Sequence, residues 1–231
     1  GRSVGEMYGL IFDGVYQYSD FDKMPNGSFL LKNDITTNGA TRASIQPGDI
    51  KYKDLNGDLV VNNNDYTIIG RGLPIHTGGF SNNFSYRAWD LGVFLQWSYG
   101  NNIINANRYV FEGGIVTNPN LNQFASFENR WTPTNQTNDL FRAGGMTAAN
   151  YSSRVVEDGS YLRLKTVQLG YNFVGKLLKS TGMSKLRLNV SAQNLLTFTG
   201  YSGLDPEASS RPGNLTPGFD YGTYPQSFTV T

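Results

Sequence analysis

Apolar and polar positions alternate with period two along several stretches of this chain, most regularly from Leu91 to Tyr99. There the odd positions are Leu91, Val93, Leu95, Trp97 and Tyr99, and the even ones include Gly92, Gln96 and Ser98. Side chains of a strand point to opposite faces in turn, so the pattern predicts a strand with one apolar and one polar face. Phe84-Ser85-Tyr86 alternates likewise, and only Arg87-Ala88-Trp89-Asp90 intervenes, which reads as a hairpin with a tight turn. A second pair follows. Val167, Leu169, Tyr171 and Phe173 alternate with Gln168, Gly170 and Asn172, and then Leu186, Leu188, Val190 and Ala192 with Arg187, Asn189, Ser191 and Gln193. Residues 174–184 connect the two, with Gly182 as the turn residue.

The predicted strands are 7–17, 76–86, 91–99, 161–173, 186–198 and a last one starting near Tyr224. This is an all-β chain of about six antiparallel strands. A soluble β-sandwich alternates in the same way. Two features favour a transmembrane barrel instead. Strands of about nine to thirteen residues suit a tilted bilayer crossing better than the usual five or six of soluble sheets. Short links (87–90, 174–184) also take turns with very long ones (19–75, 101–159, 199–223), as periplasmic turns and extracellular loops do. About eight strands are the smallest number that closes a barrel, and Gln226-Ser227-Phe228-Thr229-Val230-Thr231 stops in mid-strand. The expectation is that residues 1–231 are a piece, cut at both ends, of a larger transmembrane β-barrel.

Composition narrows the chemistry. Among 231 residues there are 27 Gly, 14 Tyr, 14 Phe, no Cys and one His, with a net charge of +1. Near-neutrality gives no electrostatic reason to expect nucleic acid or an anionic membrane surface as partner. Without Cys there is no disulfide, thiolate nucleophile or Cys-ligated zinc. His76 alone cannot build a multi-His metal site, and it has no partner evident in sequence. No apolar run is long enough for a transmembrane helix, and Gly1-Arg2-Ser3 is neither an initiator Met nor a signal peptide. Glu157-Asp158 and Asp205…Glu207 are the nearest approach to a glycosidase pair, but nothing fixes the carboxyl separation that such chemistry needs. They read as solvated loop acids. The chain is not expected to be an enzyme.

One stretch has the spacing of a calcium loop. Asp54, Asn56 and Asp58 stand at positions 1, 3 and 5, the Val60 carbonyl at 7, Asn62 at 9 and Asp65 at 12, which is where a hard cation takes oxygen ligands. Leu59 stands where such a loop wants Gly, and Asp65 is shorter than the usual Glu. A cluster of Asx turns is the alternative. Aromatic residues divide into two groups. Tyr86, Trp89, Trp97, Tyr99, Tyr171, Phe173 and Phe198 fall near strand ends, as in an interfacial girdle. Tyr109, Phe111 and Trp131 sit in the long loop and are candidates for stacking on a solute, the alternative being packing within the loop or on a partner. A short helix is predicted at 120–130, with Leu121, Phe124 and Phe127 at helical spacing.

Ordered along the chain are Pro47-Gly48-Asp49-Ile50-Lys51-Tyr52-Lys53-Asp54-Leu55-Asn56-Gly57-Asp58, Ile69-Gly70-Arg71-Gly72-Leu73-Pro74, Gly78-Gly79-Phe80 and Trp131-Thr132-Pro133-Thr134-Asn135. Val156-Glu157-Asp158-Gly159-Ser160-Tyr161-Leu162-Arg163-Leu164-Lys165 leads into Leu169-Gly170-Tyr171. Gln193-Asn194-Leu195, Gly203-Leu204-Asp205-Pro206-Glu207, Asp220-Tyr221 and Tyr224-Pro225 complete the series. In these segments the chain resembles the C-terminal part of SusC/RagA-like TonB-linked outer-membrane transporters. The resemblance implies a plugged barrel of about 22 strands in the outer membrane of a Gram-negative bacterium. It also implies import of glycans or peptides, a SusD-like surface lipoprotein as lid, and energy from a TonB complex through a region upstream. The plug, the TonB-contacting segment and most of the barrel lie outside this chain, so a structural Ca²⁺ is the only cofactor anticipated.

Overall fold

The computed structural model describes residues 3–113, 121–146, 151–175, 178, 182–207, 209–210, 217–222, 227 and 229–231. The chain divides into two compact units. One comprises Leu73–Asn102, Asp158–Ala208 and Thr223–Thr231; the other comprises Gly1–Gly72, Ile103–Glu157 and Ser209–Gly222.

The first unit is an antiparallel sheet of five strands: β1 (His76–Tyr86), β2 (Trp89–Tyr99), β3 (Tyr161–Phe173), β4 (Leu186–Thr199) and β5 (Thr229–Val230). Their order in the sheet is β5-β4-β3-β2-β1. The alternation read from the sequence becomes two continuous faces through the register. Leu95 lies between Phe80 and Leu164, Val93 between Asn82 and Val167, and Leu169 between Leu91 and Val190. On the other face Gln96 lies between Gly79 and Arg163, and Gln168 between Gly92 and Ser191. The apolar face is open. Leu188 is 57% exposed and Phe198 61%, with Phe80, Phe84, Leu162, Leu169, Val190 and Leu196 exposed beside them. Among the described residues no second sheet pairs off against this face, which a soluble sandwich requires.

A register shift between Leu164 and Thr166 leaves Lys165 as an extra residue against β2. The bulge switches parity: even positions (Leu162, Leu164) carry the apolar face before it and odd ones (Val167, Leu169, Tyr171) after it. Without that slip one half of the strand would turn its apolar set to the wrong side. The β1–β2 turn is tighter than predicted. Tyr86 pairs with Trp89, so the connection is Arg87-Ala88, and Arg87 adopts a left-handed φ of 55°. Close to the strand ends, Gly78 faces the ring of Trp97, where an added Cβ would lie 2.3 Å from a ring carbon. Trp97 Nε1 donates to His76 Nδ1 at 3.2 Å, and His76 stacks on Tyr99, giving the histidine the partners that the sequence did not disclose.

In the second unit the long connections fold on themselves, and one predicted strand is corrected. Residues 7–17 are not a barrel strand: they form two short strands, Glu6–Gly9 and Phe12–Val15, broken at Leu10–Ile11. Glu6–Gly9 pairs with Thr67–Arg71, and Phe12–Val15 with Ile50–Tyr52. A core of Leu10, Val15, Ile50, Tyr52, Val61, Trp131, Leu140 and Phe141 draws on segments more than a hundred residues apart. A second cluster holds Tyr16, Phe21, Leu31 and Ile45. In place of the predicted helix at 120–130, the described part forms a 3-10 turn at Ala125–Asn129, while a short α-helix appears at Ala106–Phe111. Asn120 and the predicted strand start at Tyr224 lie outside the described residues.

Candidate functional site

The 54–65 loop is closed by its own side chains. Asp54 Oδ1 accepts from the Asn56 and Gly57 amides and Oδ2 from the Leu59 amide at 2.7 Å. Asp58 accepts from the Val60 amide and from Asn56 Nδ2, while Asn62 Nδ2 donates to the Val60 carbonyl. Asp65 is fully buried and accepts from the amides of Leu55 and Asn62. Leu59 adopts the left-handed conformation expected of it, φ 64°, at a cost of about 1–2 kcal/mol for a residue with a Cβ. Burial acts to raise the Asp54 carboxyl, but the surrounding amides outweigh it and hold the group below the usual carboxylate range. Every candidate ligand oxygen thus serves a nearby N–H, Asn56 Oδ1 accepting from the Asp58 amide and Asn62 Oδ1 from the Asn64 amide. Among the described residues no group of three His, Cys, Asp or Glu is placed to hold a metal ion.

The candidate stacking residues are dispersed. Trp131 is 4% exposed and sits in the core, its Nε1 donating to Gln17 Oε1 at 3.0 Å and its ring 5.4 Å from that of Tyr18. Tyr109 packs on Tyr151 and Phe111 on Phe124. The structure brings none of the three together.

The loop acids are not solvated bystanders. Glu157 pairs with Arg108 and Asn105. Asp205 and Glu207 both bind Arg163, the third residue of β3, which is 1% exposed on the polar face of the sheet. Arg163 Nη2 meets Asp205 at 2.6 Å, Nη1 meets Glu207, and Nε donates to Thr197 Oγ1 on β4 at 3.0 Å. The Tyr161 ring lies 5.0 Å from the guanidinium carbon, and Lys165 reaches Glu207 at 3.4 Å. A charge within an alternating strand was the available signal for this cluster.

A further arrangement had no signal of spacing. Trp131 N donates to Leu140 O and Arg142 N to Gly48 O, so the 131–140 excursion returns beside its start and sets Arg130 and Arg142 along one cavity of about 400 Å³. Tyr18, Phe29, Gln46, Pro47, Trp131, Thr132 and Pro133 complete much of its wall. Arg142 is held from behind: its Nε donates at 2.7 Å to Asp49, which is 0% exposed and also accepts from the Gln46 amide. Gly48, with φ 89°, permits this packing, since a Cβ there would stand 2.4 Å from the Trp131 ring.

The comparisons with known proteins agree with this architecture. No protein-family profile matches the chain. Over its whole length it is 37% identical to TonB-dependent receptor P3 of Formosa agariphila, and over 89% of its length 33% identical to TonB-dependent receptor P26 of the same organism. Over 80% it is 24% identical to the TonB-dependent receptor SusC of Bacteroides thetaiotaomicron. The chain spans about a fifth of the length of these curated relatives (22%, 21% and 17%). In fold it matches the structure of the RagAB peptide importer in its "open-open" state with a TM-score of 0.66 at 24% identity, covering 97% of this chain and 21% of that one. Matched end to end by such receptors and built as a two-faced sheet of barrel strands, the chain belongs to the SusC/RagA-like TonB-dependent receptors.

Proposed function

We propose that this chain contributes barrel wall and an extracellular folded body to an outer-membrane importer that takes up oligosaccharides or peptides with TonB-derived energy and a SusD-like surface lipoprotein. The observation that carries the reading is the sheet with an open apolar face on one side and Gln, Asn, Ser, Thr and Arg on the other. Such a wall presents hydrocarbon-compatible side chains outward and a wet surface to a lumen. Hydrolysis has no place in it, because Asp205 and Glu207 are engaged by Arg163, Glu157 by Arg108, and Asp158 by Ser160. Uptake of labelled oligosaccharides and peptides by cells producing the receptor that contains this chain tests the reading. Uptake that stops when the inner-membrane energy supply is removed is expected; equal uptake in de-energised cells would remove it.

For the 54–65 loop the reading is a fold held by Asx hydrogen bonds, supported by the amide partners of Asp54, Asp58 and Asp65. Calorimetric titration of Ca²⁺ is expected to give the same dilution heats for the native chain and for D54A. A saturable heat that D54A abolishes would instead install the cation for which the spacing calls.

A further inference from the structure

We infer that the cavity between Arg130 and Arg142 is a receptor for the carboxylate of a small solute, joined to an apolar group. The inference deepens the importer reading and rests on it for the supply of such solutes.

Charge is the first argument. The cavity wall carries two guanidiniums, and the sole carboxylate pairing with either among the described residues is Asp49. Asp49 is wholly buried behind Arg142 and takes only its Nε. Arg142 Nη1 makes a long 3.4 Å contact to the Ala143 carbonyl, and Arg130 Nη1 donates to the Phe127 carbonyl at 3.1 Å. The Nη2 groups of both arginines have no acceptor among the described residues. Two forks with unused donors and a net positive charge suit a planar oxyanion that can take parallel N–H bonds.

Preorganisation is the second. Arg142 cannot swing freely: Asp49 grips its Nε, Gly145 N donates to its carbonyl, and its own amide donates to Gly48 O. Arg130 is fixed by its place over the Phe127 ring, 4.7 Å from the centroid. A fixed guanidinium loses less rotamer freedom when it binds, so more of each hydrogen bond appears as affinity.

The apolar part follows from Met24, Leu30 and Ala43, which with Ser28 line a neighbouring cavity of about 390 Å³ that shares Phe29, Gln46 and Pro47 with the first. One side is cationic and the other mixed, its Met24, Leu30 and Ala43 beside Ser28, with Gln46 shared by both. Cavities of several hundred cubic ångströms with a few convergent polar groups hold small solutes.

Three probes separate the sources: the free-acid peptide N-acetyl-Ala-Leu-Glu, its uncharged analogue N-acetyl-Ala-Leu-Gln-amide, and trigalacturonate. Binding is measured by calorimetry on the detergent-solubilised receptor that contains this chain. The free-acid peptide is expected to bind most tightly, trigalacturonate more weakly, and the uncharged peptide at least about ten-fold more weakly than the acid, the scale of a lost charged hydrogen bond. R130Q, which leaves no buried acid behind, and R142K, which keeps a charge for Asp49, should each weaken the acid peptide about ten-fold with an unchanged circular dichroism spectrum. Equal binding of the acid and its uncharged analogue, or acid binding indifferent to both variants in folded protein, would overturn the site. Energised uptake measured in the same cells then still decides the importer reading by itself.

Discussion

Urea unfolding of the D205N/E207Q double variant is expected to show a loss of about 3–5 kcal/mol, the scale of an uncompensated buried charge. R163M is expected to cost less. The asymmetry follows from where the charges sit. The Arg163 side chain is 2% exposed, whereas those of Asp205 and Glu207 are 17% and 40% exposed. Neutralising the acids leaves a buried guanidinium beneath the 201–207 segment with Thr197 Oγ1 and neutral amide oxygens as acceptors but no counter-charge. Removing the arginine lets two carboxylates turn to water, and Met fills much of the space. Unfolding is followed by Trp97 on the adjacent strand. Equal costs for the two variants would mean that packing rather than charge compensation holds the segment to the polar face.

The second large effect is expected at Gly48. Ala there must adopt φ near 89° and bring its Cβ within 2.4 Å of Trp131 and 3.0 Å of the Arg142 Cβ. A left-handed backbone and an overpacked core together cost about 2–5 kcal/mol. The loss should appear as a lowered unfolding midpoint with a shifted emission of Trp131, whose indole now meets Tyr18 and Gln17. An unchanged midpoint would show that the turn at Gly48 yields without disturbing the Trp131 core.

What could be read in the sequence was what repeats locally. The 76–86 and 161–173 strands are found at the predicted bounds, because each residue's face depends on its neighbours two places away. The 186–198 strand gained only Thr199, and the 91–99 strand began two residues earlier, at Trp89. The failures share one cause. Residues 7–17 alternate well enough to pass for a strand, but the break after Gly9 is set by Tyr151, whose carbonyl accepts from Leu10 N and would stand 2.5 Å from a Cβ on Gly9. For Trp131 a solute contact and packing within the loop both stood open, because nothing in its segment shows that Gln17 and Tyr18 meet it. Arg130 and Arg142 meet through a turn and through Asp49, 93 residues away from Arg142. Long-range closure of this kind has no period for a sequence to display.

That the apolar face of the sheet meets lipid is the claim on which the rest depends. The chain contains no Cys, so once any cysteines in the rest of the receptor are replaced, single cysteines along residues 186–193 can each carry a nitroxide, with the receptor reconstituted in liposomes. Collision rates with oxygen, which concentrates in hydrocarbon, and with a water-soluble nickel chelate report each site's surroundings. The account predicts alternation residue by residue: oxygen dominates at 186, 188, 190 and 192, and nickel at 187, 189, 191 and 193. Low rates for both probes at the even positions, the behaviour of side chains sealed inside protein, would contradict it.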